Sequence, residues 1–273
     1  MKKKWKPVFA NIILWVLIAG ILVPAATLFI WIFTERWTWP ELIPQVFSKR
    51  AVLEVTGRKR ELLQILGSSI LISGVTAVLS GVIGLMTARA LTLYCFPGKR
   101  LVYFFTILPF MVPATVFAMG IQVTFIKMGL NNRISGVIIA HLISSLPYAV
   151  RLIMEGTQAV GSRLEEQARV LGASPFQAFC KVSLPVLMPV ILPAISMSYV
   201  VSFSQYFLTL MIGGGKVKTF AIVMVPYLQS GNRNIASIYS GIFLGVTLAV
   251  FALLEGAAGR WLKRGGGEFY TSE

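Results

Sequence analysis

Charged residues in this chain fall in clumps, and long uncharged, apolar stretches run between them. These stretches cover Pro7 to Thr34, Leu62 to Ala88, Leu101 to Ile126, Ile134 to Val150, Val182 to Gly215 and Asn234 to Leu254. A helix crosses the ~30 Å hydrocarbon layer of a bilayer with about 20 residues, and most of the stretches exceed that. The fourth is shorter, but Arg133 and Arg151 at its ends can extend their guanidinium groups to the interface. The pattern predicts an all-α, polytopic membrane protein with six transmembrane helices, near 8–33, 64–88, 101–126, 134–154, 186–212 and 234–258. Six spans place both termini on one side. The first apolar stretch, after MKKKWK, is far longer than the 7 to 15 residue core of a signal peptide and reads as a retained span.

The spans differ in what they carry. Span two holds Gly67, Ser68, Ser69, Ser73, Gly74, Ser80, Gly81 and Gly84, small residues that let helices approach closely in lipid, so it is expected in the interior. Span three contains Pro109 and Pro113, and span five Pro189 and Pro193. Each removes an amide donor, which either kinks the helix or is absorbed by neighbour packing. Span four carries His141, Ser144, Ser145 and Pro147. With no carboxylate in the middle of any span to relay protons, His141 is expected to hydrogen-bond between helices. Span five is the most polar. Ser198, Ser202, Gln205 and Tyr206 place hydroxyls and an amide at membrane depth, where they line an aqueous path or act as glue between helices. Ser198 and Ser202, and then Ser202 and Tyr206, share a face at i,i+4 spacing.

Between spans four and five lies a polar insert, residues 162–185, SRLEEQARVLGASPFQAFCKVSLP. Ser162 with Glu165 has the form of a capping box. Leu164, Ala168 and Leu171 fall on one helical face, and Glu165 and Arg169 form an i,i+4 pair on another. Gly172 can end that helix. Ser174, Pro175 and Gln177 then mark a second start, and Pro185 is expected to close the second piece. The insert therefore reads as helix, glycine turn, short helix and a proline-marked start of span five.

At these residues the chain resembles the inner-membrane permease subunits of binding-protein-dependent ABC importers. The family signature is Glu-Ala-Ala, a Gly six residues after the Glu, then an apolar residue, any residue, Leu and Pro. Here it stands as Glu166-Gln167-Ala168, Gly172 and Val182-Ser183-Leu184-Pro185, with the helix former Gln167 in place of the first Ala. The resemblance implies a cytoplasmic coupling loop, 162–185, seated in a cleft of a separate ATPase. Glu165, Glu166, Ala168, Gly172, Ala173, Leu184 and Pro185 are its contact and shaping residues. Glu166 supplies a charged contact and Gly172 the bend. The alternative is an amphipathic interfacial helix without a partner. The resemblance further implies an ATPase dimer, a second permease, identical or homologous, and an extracytoplasmic substrate-binding protein as partners. It places the chain in the bacterial inner membrane with both termini cytoplasmic. Ser202-Phe203-Ser204-Gln205-Tyr206 looks like the corresponding span of the polyamine, iron and thiamine branches. This puts a small soluble nutrient of those types first and sulfate- or molybdate-like anions second. Many of those relatives carry Asp or Glu where Gln205 stands, and a neutral amide gives a polycation no Coulomb attraction.

Composition agrees with the membrane class. Of 273 residues, 56% are hydrophobic and 13% charged, with a mean hydropathy of +0.77, too apolar for an ordinary soluble domain. The net charge of +15 could suggest nucleic acid, but the 25 Lys and Arg sit at span ends rather than on one soluble face. With the termini inside, 14 of the 25 lie on the inner side. This is a weak bias, because Lys49, Arg50, Arg58, Lys59 and Arg60 fall in the outer loop 35–61. That loop also holds Trp37, Trp39, Pro40 and Pro44, either interface anchors or a docking surface for a binding protein. Cys95 and Cys180 fall at inner-side boundaries, where a disulfide is not expected and packing is. GGGKVKT at 213–219 only superficially resembles a phosphate-binding loop, because Leu210 and Val217 stand where Gly and Ser/Thr are required. Its glycines are expected to form the outer turn before span six. No cofactor, metal or nucleotide site is expected, and the chain is not itself an enzyme. An ion- or proton-driven secondary transporter is the competing class, disfavoured because the chain has no Asp and its spans no central acid.

Overall fold

The computed structural model describes residues 5–265, without the side chains of residues 5–10, 258 and 260–265. Lys2, Lys3 and Lys4, and the side chains of Lys6, Arg260, Lys263 and Arg264, all expected on the inner side, lie outside the described part. The chain divides into two compact units. One runs to Leu63 and includes Val223–Gly245; the other is Gln64–Ile222 with the chain from Val246 onward.

The first unit opens with α1, Trp5–Ile32, an apolar helix of membrane-crossing length. The segment expected as an irregular outer loop is instead folded. Strand β1, Thr34–Arg36, pairs antiparallel with β2, Val46–Phe47, and α2, Arg50–Gly57, follows. Thr34 anchors the hairpin to the helix end through its hydroxyl, which donates to Ile30 O at 2.8 Å. Trp37 stacks on Trp31 with centroids 5.2 Å apart, and Arg233 lies 5.1 Å over the Trp31 ring. Trp39 is 92% exposed. The two tryptophans therefore part company: Trp37 packs and Trp39 does not.

The second unit holds most of α3 (Lys59–Leu93), then α4 (Lys99–Met111), α5 (Ala114–Lys127), α6 (Ile134–Val160), α7 (Arg163–Val170) and α8 (Pro175–Ala178). A π-helical turn, Phe179–Ser183, leads into α9 (Leu184–Phe203), followed by α10 (Phe207–Gly213). A further short helix, α11 (Phe220–Gln229), precedes α12 (Arg233–Gly265), and both pass from one unit to the other. Among the described residues, five helices are long and apolar enough to cross a membrane. The pair α4 and α5 makes six if it counts as one broken span, bent by 115°. This corrects the continuous span 101–126. Val112 is extended, as the residue before a proline tends to be, and Pro113 starts α5 without donating an amide. Pro109 lies within α4 without ending it.

Span five is corrected too: 186–212 is α9 to Phe203, a break at 204–206, and α10. The glycines at 213–215 do turn the chain, with positive φ at Gly214 and Gly215, but they lead to α11 rather than directly to span six. Span two is interior as expected, burying Ser69, Ser73, Thr76, Ser80, Gly81, Gly84 and Ala88. Gly84 faces Ala149 of α6 so closely that a Cβ there would stand 2.9 Å from the Ala149 methyl. Ser80 and Ser145 share a hydrogen bond of 2.8 Å between the same two helices. Two apolar clusters hold the unit. Ile72, Phe125, Val137, Leu208 and Ile212 form one toward the α10 end, and Ala88, Ala149, Ile153, Leu187 and Ile191 the other toward the insert.

Candidate functional site

The insert between α6 and α9 is helical because Leu164, Glu165, Glu166, Gln167 and Ala168 are all good helix formers uninterrupted by glycine or proline. Its first expected cap is absent. Ser162 is in the right-handed region and makes no side-chain bond to the helix. Glu165 cannot reach back to it because its carboxylate is engaged elsewhere. Arg89 Nη2, near the end of α3, donates to Glu165 Oε2 at 2.8 Å, and Ser183 Oγ donates to the same oxygen at 2.7 Å. The ion pair is largely shielded, with the Arg89 and Glu165 side chains 13% and 17% exposed. The Arg89 guanidinium also lies 4.7 Å over the Phe179 ring. Burial alone would push the Glu165 carboxyl up. The hydrogen bonds from Arg89 and Ser183 and the charges of Arg89 and Arg169 outweigh it and hold the carboxyl below its ordinary value. Arg169 thus adds a field, while the ion-pair partner is Arg89, 76 residues away in sequence.

Gly172 ends α7 as expected. At φ +96° it donates to Arg169 O at 3.0 Å while Ala173 donates to Ala168 O at 3.0 Å, the paired bonds of a Schellman turn. Ser174 and Gln177 form the second capping box reciprocally. Pro185 does not close the piece. It is the second residue of α9, inside a helical run that continues unbroken from Pro175. The π turn before it carries the helix on without a stop, the Leu184 amide reaching back to Phe179 O. Leu184 and Pro185 are half-buried, and Leu184 packs on the Ala149–Leu187 cluster. The side of the insert away from the spans is a different surface. Glu166 and Gln167 are exposed there, and Val170, Leu171 and Phe176 are 87%, 88% and 75% exposed. Leu164 is exposed as well and Ala168 half-buried, so Leu164, Ala168 and Leu171 do not form a buried face.

The second candidate group gathers at the break between α9 and α10. Ser202 Oγ lies 2.9 Å from His141 Nδ1, and His141 Nε2 lies 2.8 Å from Thr209 Oγ1. Thr209 donates to Gln205 O at 2.7 Å. Its hydroxyl proton is thus spoken for, so Nε2–H donates to Thr209 and Nδ1 accepts from Ser202. Gln205 Nε2 donates to Ser144 Oγ at 3.3 Å, and Ser144 donates to His141 O at 2.9 Å. His141, Ser202 and Thr209 are fully buried, and His141 bridges helices as expected. Ser198 is also buried and bonds within its own helix, to Ala194 O at 2.9 Å. Tyr206 is half-buried at the start of α10. The helix ends at Phe203, so Ser202 and Tyr206 do not share an i,i+4 face. Arg89, Ser183 and Thr209 were not singled out from sequence: each is an isolated polar residue whose role depends on a partner far along the chain. Cys95 is exposed rather than packed, Cys180 is half-buried, and both are free. Among the described residues no cluster of His, Cys or carboxylate side chains could hold a metal ion.

The family of binding-protein-dependent transport system inner membrane components matches residues 80–265, which include the insert and the polar break. The chain belongs to this family. The permease is similar to the sulfate transport system permease protein CysT of Escherichia coli, with 27% identity over 70% of this chain and 74% of that one. To the molybdate/tungstate transport system permease protein WtpB of Pyrococcus abyssi it is 29% identical, over 80% and 86%. The spermidine/putrescine transport system permease protein PotC of Haemophilus influenzae is 25% identical over 68% and 73%. In fold it matches a chain of a bacterial ABC transporter for the acidic polysaccharide alginate, with TM-score 0.66, 12% identity and coverage of 95% and 99%. The permease is thus a multi-pass inner-membrane subunit of an ABC importer, dependent on a binding protein and driven by a separate ATPase. This sets aside the ion-driven secondary transporter.

Proposed function

We propose that the permease carries a small oxyanion of the sulfate or molybdate type, with the insert 162–185 seated on the ATPase and both termini on that same cytoplasmic side. The observation that carries the substrate reading is the chemistry of the interior. No carboxylate occurs between Glu61 and Glu155 or between Glu166 and Glu255. The polar groups at the α9–α10 break are neutral hydroxyls, an amide and an imidazole. Nothing there would attract a polyamine, thiamine or ferric ion by charge. Lys127, Arg133, Lys216 and Lys218 are exposed at the end of the second unit where Asn132 N–H meets Ile212 O at 2.7 Å. Such a one-signed rim raises the local concentration of an anion. The relatives named for sulfate and molybdate point the same way, and the spermidine relative keeps the polyamine type as the second reading. Uptake of labelled sulfate, molybdate, thiamine and spermidine by cells carrying the complete system decides between them. Oxyanion uptake lost on deletion of this gene supports the proposal, and loss of thiamine or spermidine uptake alone overturns it.

The coupling reading rests on the outward face of the insert. Val170, Leu171 and Phe176 are too exposed for aqueous solvent, and beside Glu166 they suit a cleft on a partner. Glu166→Arg and Gly172→Pro should abolish uptake with the permease still in the membrane; wild-type uptake in both would remove this role. A second permease, identical or homologous, completes the path. Ser198, Ser202, Gln205 and Tyr206 act through it, Ser198 and Ser202 by packing and Gln205 and Tyr206 at the partly open break.

A further inference from the structure

We propose that Arg89 is the positioning residue that transmits motion of the insert into span two. The proposal rests on the reading of 162–185 as the ATPase-seated loop and deepens it by naming the joint. Helix α7 hangs between two glycines with positive φ, Gly161 at +67° and Gly172 at +96°. The backbone turns at both, capped by the Gly161 amide on Thr157 O at 2.9 Å and by the Gly172 and Ala173 amides on Arg169 O and Ala168 O. A side chain makes the direct link from α7 to α3. Among the described residues, Glu165 makes the α7 side-chain hydrogen bond and ion pair to other elements, and both meet at one oxygen. Arg89 touches each half of the insert: Glu165 of α7 through its guanidinium edge, and Phe179 of the π turn through its face. Ser183 closes the triangle from the other end of that turn.

Arg89 itself stands on α3, and α3 is the element suited to carry a displacement. It is 35 residues long. It is pressed against α6 at Gly84 and bonded to it at Ser80. Toward its other end Ser69 accepts the Phe220 amide at 2.7 Å and Ser68 donates to Lys218 O at 2.9 Å. A shift of Glu165 thus reaches the basic end of the unit through one continuous helix. The guanidinium is needed for both jobs at once, because a lysine ammonium has no planar fork with which to meet a carboxylate edge-on and a ring face-on.

The test uses the complete importer in proteoliposomes with its loaded binding protein. Arg89→Met and Glu165→Gln should each lower uptake tenfold or more while the ATPase co-purifies in its wild-type ratio. Its hydrolysis should no longer respond to the loaded binding protein. The double variant should be no worse than either single one, since both cut the same link. Arg89→Lys, the milder change, should give intermediate uptake with partial stimulation. A merely structural role predicts instead that ATPase content falls in step with uptake, and that outcome overturns the proposal. Wild-type uptake and stimulation in Arg89→Met or Arg89→Lys overturns it as well. If the insert does not seat on the ATPase, Glu166→Arg will leave ATPase content and uptake at wild-type level, a failure visible before any Arg89 variant is made.

Discussion

His141 satisfies two hydroxyls at once, and the proton count assigns each bond a direction. Removing it in His141→Leu strands less than the burial suggests. Thr209 keeps its bond to Gln205 O, and Ser202 can turn to a carbonyl one turn back, as Ser198 and Ser196 already do. Side-chain hydrogen bonds between membrane helices average about 0.6 kcal/mol, so the expected loss is about 1 kcal/mol rather than the ~3 kcal/mol of two orphaned buried groups. Thermal unfolding in detergent measures it, and a loss several times larger would mean that Ser202 cannot turn. Glu165 makes a different kind of prediction. Its carboxyl is held below its ordinary value, so the Arg89 pair contributes stability throughout the neutral range. That contribution disappears only as pH falls through the depressed folded value, below the ordinary carboxylate range. Coupling of uptake to ATP hydrolysis should therefore be flat from mildly acidic to neutral pH as far as this pair is concerned. Glu165→Gln should remove the acid-side loss of stability in a denaturation series.

At the scale of elements, close approach decides which glycines matter. A methyl at Gly84 would meet the Ala149 methyl at 2.9 Å and its backbone carbon at 3.3 Å, and neither can move without separating two helices. At Gly81 a methyl would stand 2.5 Å from Ile195 Cγ1, on a β-branched side chain whose χ1 is nearly fixed in a helix. Gly81→Ala and Gly84→Ala should each cost about 1–3 kcal/mol, as overpacking does. Melting temperatures of the two variants are the check, and a wild-type value for either would mean that the helices can separate there. The spans themselves were legible in the sequence because lipid forbids charge over a whole run, which leaves a signal about 20 residues long. The second capping box and the Gly172 turn were legible because their chemistry is local. The break at Val112 was legible as one of two outcomes for Pro113, though not its 115° bend; the break at 204–206 and the π turn were not legible. Three residues of deviation leave no compositional trace, and prolines such as Pro109, Pro189 and Pro193 sit in helix without breaking it. The hairpin of residues 34–47 escaped because strands of two and three residues are too short to alternate. Arg89 and Glu165 were both visible, one as a charge ending a run and the other as a capping residue, but nothing local says that two groups 76 residues apart meet.

For the molecule as a whole, charge bias alone leaves orientation poorly determined, so it is best read chemically. Cys95, exposed just after α3, should react with a membrane-impermeant maleimide only from the cytoplasmic side. A cysteine placed at exposed Lys216, with Cys95 and Cys180 changed to Ser, should react only from the opposite side. Labelling of both from one side would mean that the bent α4–α5 pair re-enters without crossing. The π turn at Phe179–Ser183 has one more consequence. A helix that closes its bonds one residue later than usual behaves as an α-helix into which a single residue has been inserted. Removing one residue there should let the helix rejoin in ordinary register, with Ser202 still facing His141, at the cost of the clasp around Arg89. Removing one residue between Ile191 and Ser202 would rotate the distal end of α9 by about 100° and turn Ser202 away. The same lesion, a few turns apart, should yield an importer that assembles but is uncoupled in the first case and one that does not fold in the second. Chains of this family aligned with a one-residue gap at 179–183 would be expected to carry no arginine at the position of Arg89.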